Sequence, residues 1–146
     1  MKKLLLAMIL VLPILTACED DHLHPHQDHF DAIGVALFHA DTLVASILRG
    51  QSNDTLLIGV GETGDKYIVR FYDHDEHIIE ADDHDVIFAW EISDATMLQV
   101  VQDAGRHGTF EFRLHGLQPG ITSIELFIMH DDHADFRSGL IPVRIH

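Results

Sequence analysis

The spacing of apolar residues most constrains how this chain can fold. From Ala32 to His146, apolar stretches of strand length recur between turn-forming clusters, and none shows a 3.6-residue stripe. Val86, Phe88, Trp90 and Ile92 share one face against Ala89 and Glu91, and Phe110, Phe112 and Leu114 oppose Glu111 and Arg113. Ile124, Leu126 and Ile128 make a third such set, and Ile141, Val143 and Ile145 a fourth. The pattern predicts strands near 33–39, 42–48, 55–60, 66–72, 86–92, 98–102, 109–115, 122–130 and 141–145. Between them lie turn formers such as Gly50-Gln-Ser-Asn-Asp54, Gly61-Glu-Thr-Gly-Asp65, Asp103-Ala-Gly105 and Gln118-Pro-Gly120. With 146 residues there is room for one core. The expectation is an all-β domain over 32–146: two antiparallel sheets of about 7–9 strands, packed face to face with Trp90 buried between them. A small up-and-down barrel is the alternative.

The N-terminus has a different character. Lys2 and Lys3 precede an apolar run from Leu4 to Leu15, followed by Thr16, Ala17 and Cys18. A basic start, a short apolar centre and small residues at the end read as a removable leader over 1–17. The run is shorter than the roughly twenty residues a spanning helix needs. Leu15-Thr16-Ala17-Cys18 resembles the lipobox of bacterial lipoproteins, which implies acylation of Cys18, with palmitate among its chains. It also implies attachment to the cell envelope through lipid, with the outer membrane favoured and the periplasmic or surface face open. The sole Cys suits that role, since it has no disulfide partner. Residues 18–31 hold four His and five acids and read as a flexible tether.

The formal charge of −15 becomes −17 once Lys2 and Lys3 leave with the leader. Such a surface repels nucleic acid and anionic lipid headgroups and attracts cations.

A family resemblance is carried by Val86-Ile-Phe-Ala-Trp90-Glu-Ile-Ser-Asp94, then Leu98-Gln-Val100, then Gly116-Leu-Gln-Pro-Gly120-Ile-Thr122-Ser-Ile124. In this order they resemble a bacterial immunoglobulin-like domain over roughly the last sixty residues, which implies an immunoglobulin-like β-sandwich. Between the last two expected strands lies Met129-His-Asp-Asp-His-Ala-Asp-Phe136, where that family has a plain hairpin. The stretch resembles the His-Ala-Asp-Phe signature of small His-rich bacterial lipoproteins.

Hydrolase signatures are absent: the sequence has no Gly-x-Ser-x-Gly, no His-Glu-x-x-His and no phosphate-binding glycine loop. Blue-copper chemistry needs a thiolate, which acylation of Cys18 removes. No enzyme is expected. The histidines remain as carriers of chemistry. His130 has the inward parity of Ile124, Leu126 and Ile128. His133 can fold back across a loop, Asp132 or Asp135 can add a carboxylate, and His115 can serve as a fourth ligand, which makes a zinc-type donor set. His74 and His77, with the acids of 73–77 and 82–85, form a secondary cluster able to attract calcium, although a solvated loop is the plainer account. His22, His24, His26 and His29 on the tether suit loose binding of zinc, copper or nickel.

The expectation is therefore a non-enzymatic protein that binds a divalent metal, zinc foremost, for capture or handover to an outer-membrane uptake receptor. Two alternatives stand: a structural or adhesive module without metal, and a pH-responsive surface protein whose charge moves from −17 to −4 when all 13 His are protonated. The leader reading predicts that the mature chain starts at an acylated Cys18 and that Cys18→Ser leaves an unlipidated precursor. Intact-mass measurement checks it, and an unmodified thiol in the wild type contradicts it.

Overall fold

Period-2 alternation buries one face of each strand, and the chain satisfies this by closing two sheets over a shared interior. The computed structural model describes residues 30–52, 54–81 and 86–146. The leader, Cys18, the tether histidines His22, His24, His26 and His29, and the acidic run Asp82-Asp83-His84-Asp85 lie outside the described residues. The strands are β1 (Gly34–His39), β2 (Thr42–Leu48), β3 (Gln51–Ser52), β4 (Leu56–Ile58), β5 (Tyr67–Tyr72), β6 (Ile78–Ile79), β7 (Val86–Ile92), β8 (Leu98–Val101), β9 (Glu111–Gly116), β10 (Gly120–His130) and β11 (His133–Ile145). Among the described residues there is no helix.

One sheet runs β3-β2-β1-β5-β9-β8, with β6 on β5; the other runs β4-β11-β10-β7. All named pairs are antiparallel except β4 with β11. The chain crosses between sheets from β3 to β4, from β4 to β5, from β6 to β7, from β7 to β8 and from β9 to β10. Strands β5, β9 and β8 thus take the places of B, E and D in an immunoglobulin sandwich, and β7, β10 and β11 those of C, F and G. Strand β1 lies where strand A does, beside β5.

The interior is set by ring packing. Phe71 on β5 meets Phe30, Phe110 and Phe136 edge-on, with centroids 5.0, 5.5 and 5.5 Å away. Phe88 on β7 stacks on Phe112 at 5.6 Å. Edge-to-face rings add attraction beyond the area they bury. Around them Val35, Leu37, Ile47, Leu114, Ile124, Leu126, Ile128, Ile141 and Val143 are fully buried.

Two expectations need correction. Trp90 is half-buried at the margin of the core, 5.6 Å from Phe88, because β7 is the edge strand of its sheet and only β10 flanks it. The last strand begins at His133 rather than near 141, so the expected loop is a tight hairpin with His130 paired to His133. Its alternation is hidden by two bulges. Between Ile128 and Met129 on β10, the partner strand steps from Phe136 to Ala134, leaving Asp135 as an extra residue. The second bulge falls at Ser138-Gly139, where Gly139 has φ +78°. There the Ser138 hydroxyl accepts the Leu126 N–H at 2.9 Å, so a buried amide keeps an acceptor where the ladder is interrupted. The short strands β3 and β6 were also unforeseen, since two residues carry no periodicity.

Phe71→Ala should cost about 3–5 kcal/mol, as for other buried aromatic truncations. Trp90→Ala should cost about 2 kcal/mol, because only part of its area leaves water on folding. Urea unfolding of the two variants checks the order, which reverses if Trp90 is the centre of the core.

Candidate metal centre

The candidate centre is built at the turn joining β10 to β11. Two residues, Asp131 and Asp132, close the turn, and Asp131 has φ +51°, a conformation that Asp tolerates better than most residues. Closure this tight makes His130 and His133 cross-strand partners, with rings 5.8 Å apart. Asp135 joins them because of the first bulge. In a regular strand, neighbours face opposite ways, yet the Asp135 side chain is 0% exposed and Phe136 beside it is buried too. The extra residue turns the carboxylate toward the interior instead of out to water.

The donors lie close together. His133 Nε2 is 3.0 Å from Asp135 Oδ1, and His130 Nδ1 is 3.7 Å from Oδ2. The Phe30 N–H donates to Oδ2 at 3.0 Å. One ligand atom from each of His130, His133 and Asp135 falls within 4.8 Å of the others, and among the described residues no other group of three or more donors does so. Tetrahedral zinc, with ligands 2.0–2.2 Å away, sets them about 3.3 Å apart, so closing the trio needs shifts of roughly an ångström. His130 Nδ1 is buried and has no hydrogen-bond partner. An orphaned buried nitrogen carries a desolvation cost that a Lewis acid at this point removes.

The hairpin is braced behind the site. Arg137 donates to both carboxylate oxygens of Glu125 across the strands, at 2.6 and 3.2 Å, and lies 4.7 Å over the Phe127 ring. Those hydrogen bonds hold the Glu125 carboxyl below its ordinary value against a smaller upward push from burial.

The remaining expected ligands are placed as follows. Asp132 is 3.7 Å from His133 Nδ1, but its side chain is 101% exposed and it stands outside the trio. His115 hydrogen-bonds Thr63 Oγ1 at 2.9 Å and pairs with Gln99, far along β9 from Phe110, so it does not reach the centre as a fourth ligand. His74 and His77 belong to no group of three or more donors among the described residues, and each has its own acidic neighbour. His74 Nε2 sits 2.9 Å from Asp31, and His77 Nδ1 is 3.6 Å from Asp73. Asp73 Oδ1 accepts the N–H groups of Asp75 and His77, which makes it a turn-shaping residue. Sequence reasoning missed Phe30, because a backbone amide leaves no trace in residue identity. The choice of Asp135 over Asp132 had one usable signal: His133 and Asp135 are two apart, so on a strand they share a face.

No protein-family profile matches the chain, and no curated protein matches it in sequence. Among solved structures, domains 4 and 5 of the S-layer protein SbsC are similar at 13% identity and a TM-score of 0.40, over 77% of this chain and 65% of that one. The chain thus spans about two thirds of that structure.

Asp135→Ala should destabilise the metal-free fold by about 1.5–3 kcal/mol, since it leaves the Phe30 N–H without its charged acceptor. Asp132→Ala, at a fully exposed side chain, should stay within about 0.5 kcal/mol. Chemical denaturation in the presence of a chelator separates them, and equal effects contradict the burial of Asp135.

Proposed function

We propose that this chain is a lipid-anchored protein of the bacterial envelope that captures a divalent transition metal, zinc in preference to copper, nickel or calcium, and holds it for an uptake receptor. His130, His133 and Asp135 are the ligands. The observation that carries the reading is the buried His130 Nδ1, without a hydrogen-bond partner and facing a buried carboxylate shared with His133. Two imidazoles and one carboxylate are a borderline donor set suited to zinc, whereas calcium calls for six or more oxygens. Three protein ligands leave a fourth position for water or for a ligand from an accepting protein, which suits exchange better than permanent storage.

Other features support the reading. The formal charge of −15 raises the local concentration of cations. The lipobox at Leu15-Thr16-Ala17-Cys18 supplies the membrane attachment. The resemblance of Met129–Phe136 to the signature of His-rich lipoproteins fits the same assignment. In this reading the tether histidines His22, His24, His26 and His29 bind additional ions weakly, because ordering a flexible segment costs entropy that the hairpin does not lose. The protein acts by binding rather than by catalysis.

Zinc should raise the melting temperature of the Cys18→Ser protein. A concentration one hundred times the dissociation constant stabilises the fold by about 2.7 kcal/mol. Joint His130→Ala and His133→Ala replacement should abolish the shift. Replacing the four tether histidines should lower only the number of weakly bound ions, as counted by isothermal titration. A full zinc-induced shift in the double variant overturns the assignment.

A further inference from the structure

The Asp135 carboxylate has different neighbours at its two oxygens. Oδ1 faces His133 Nε2 at 3.0 Å, while Oδ2 accepts the Phe30 N–H at 3.0 Å and lies 3.7 Å from His130 Nδ1. Phe30 and Asp135 are 105 residues apart in the chain. The rest of this short segment is fastened as well. The Phe30 ring packs edge-on against Phe71, which packs edge-on against Phe136, the residue after Asp135. Both carboxylate oxygens of Asp31 lie within hydrogen-bond distance of His74 Nε2, at 2.9 and 3.0 Å. The Ile33 N–H donates to the Tyr72 carbonyl at 2.8 Å, and the Ile33 carbonyl accepts the Arg49 N–H at 2.8 Å.

A carboxylate that turns about its Cβ–Cγ bond presents either oxygen to a metal. An N–H fixed on one oxygen removes that freedom and aims the other. Hydrogen-bond partners of this kind orient ligands and tune their basicity. We propose that Phe30 and Asp31 form the orienting outer part of the metal centre: the Phe30 N–H holds Asp135 Oδ2 on the His130 side and so keeps Oδ1 toward His133, and undocking the segment loosens the metal. This rests on the metal reading above and extends it to release. Linkage makes the coupling reciprocal, so a bound ion fastens the segment by the same factor by which the docked segment fastens the ion. Displacing Phe30 therefore weakens the site without competing for its ligands. His74, which the metal trio does not use, has a role here as the latch on Asp31.

The test uses the full-length chain with Cys18→Ser and with His22, His24, His26 and His29 replaced by Ala, so that only the hairpin site titrates. Phe30→Ala removes the ring and keeps the N–H; Phe30→Pro removes both. Zinc affinity is read by competition with a chromophoric chelator. The Pro variant should bind roughly ten- to a hundredfold more weakly than the Ala variant, the usual effect of losing an outer partner of a ligand. In the parent chain, saturating zinc should slow hydrogen exchange of the Phe30 amide. Equal affinities of the Ala and Pro variants, or exchange at Phe30 that zinc leaves unchanged, overturn the proposal. If the Pro variant does not fold, the exchange measurement decides alone. Failure of the underlying reading looks different: the parent then shows no saturable zinc binding that His130→Ala with His133→Ala removes, and both proposals fall together.

Discussion

The pairing of β10 with β11 is the constraint on which the other parts depend. β10 is hydrogen-bonded on both sides, to β11 and to β7, and its inward residues Ile124, Leu126 and Ile128 are fully buried. β11 carries Ile141, Val143 and Ile145 on the same side and accepts β4 along its far edge. This ribbon is the wall against which the rings around Phe71 close. It must also bend to follow that cluster, and the bulges at Asp135 and Ser138-Gly139 supply the bend. The candidate centre is a by-product of the same geometry, since one bulge residue is the carboxylate that reaches inward.

Much of the architecture was legible in the sequence because alternation and turn chemistry agreed. The expected strands at 42–48 and 86–92 have the observed limits, and most of the others differ by one or two residues. Legibility failed where periodicity was broken. Residues 133–140 carry two bulges, so apolar and polar residues fall out of step there and the segment reads as a loop. Trp90 has the parity of a buried residue, but its strand is at a sheet edge, and strand order is not written in periodicity. At the site, His130 and His133 were legible from the parity of β10 and the proximity of the two residues. The burial of Asp135 was not, because it arises from a register shift and from an amide 105 residues away.

Three of the cations, Lys66, Arg106 and Arg137, sit on carboxylates that are partly covered. At Glu111, burial pushes the carboxyl up, and hydrogen bonds and charge from Lys66 and Arg106 outweigh it, so the group ends below its ordinary value. Arg137 does the same for Glu125. Asp135 has two imidazoles and a backbone amide close to its carboxylate oxygens. Imidazoles provide a positive charge only when protonated, and otherwise provide lone pairs for a metal.

The two-residue turn also has a consequence for the order in which the chain assembles. Closing a short loop costs little chain entropy, and contacts between residues close in sequence form before distant ones. His130 and His133 are brought together by the hairpin turn alone, whereas the amide of Phe30 meets Asp135 across 105 residues of chain. The imidazole pair is therefore the local part of the site, and the contact that aims its carboxylate is the long-range part. The contact from the Phe30 amide closes a loop of 105 residues, so the hairpin turn and the N-terminal contact stand at opposite ends of the scale of loop-closure cost.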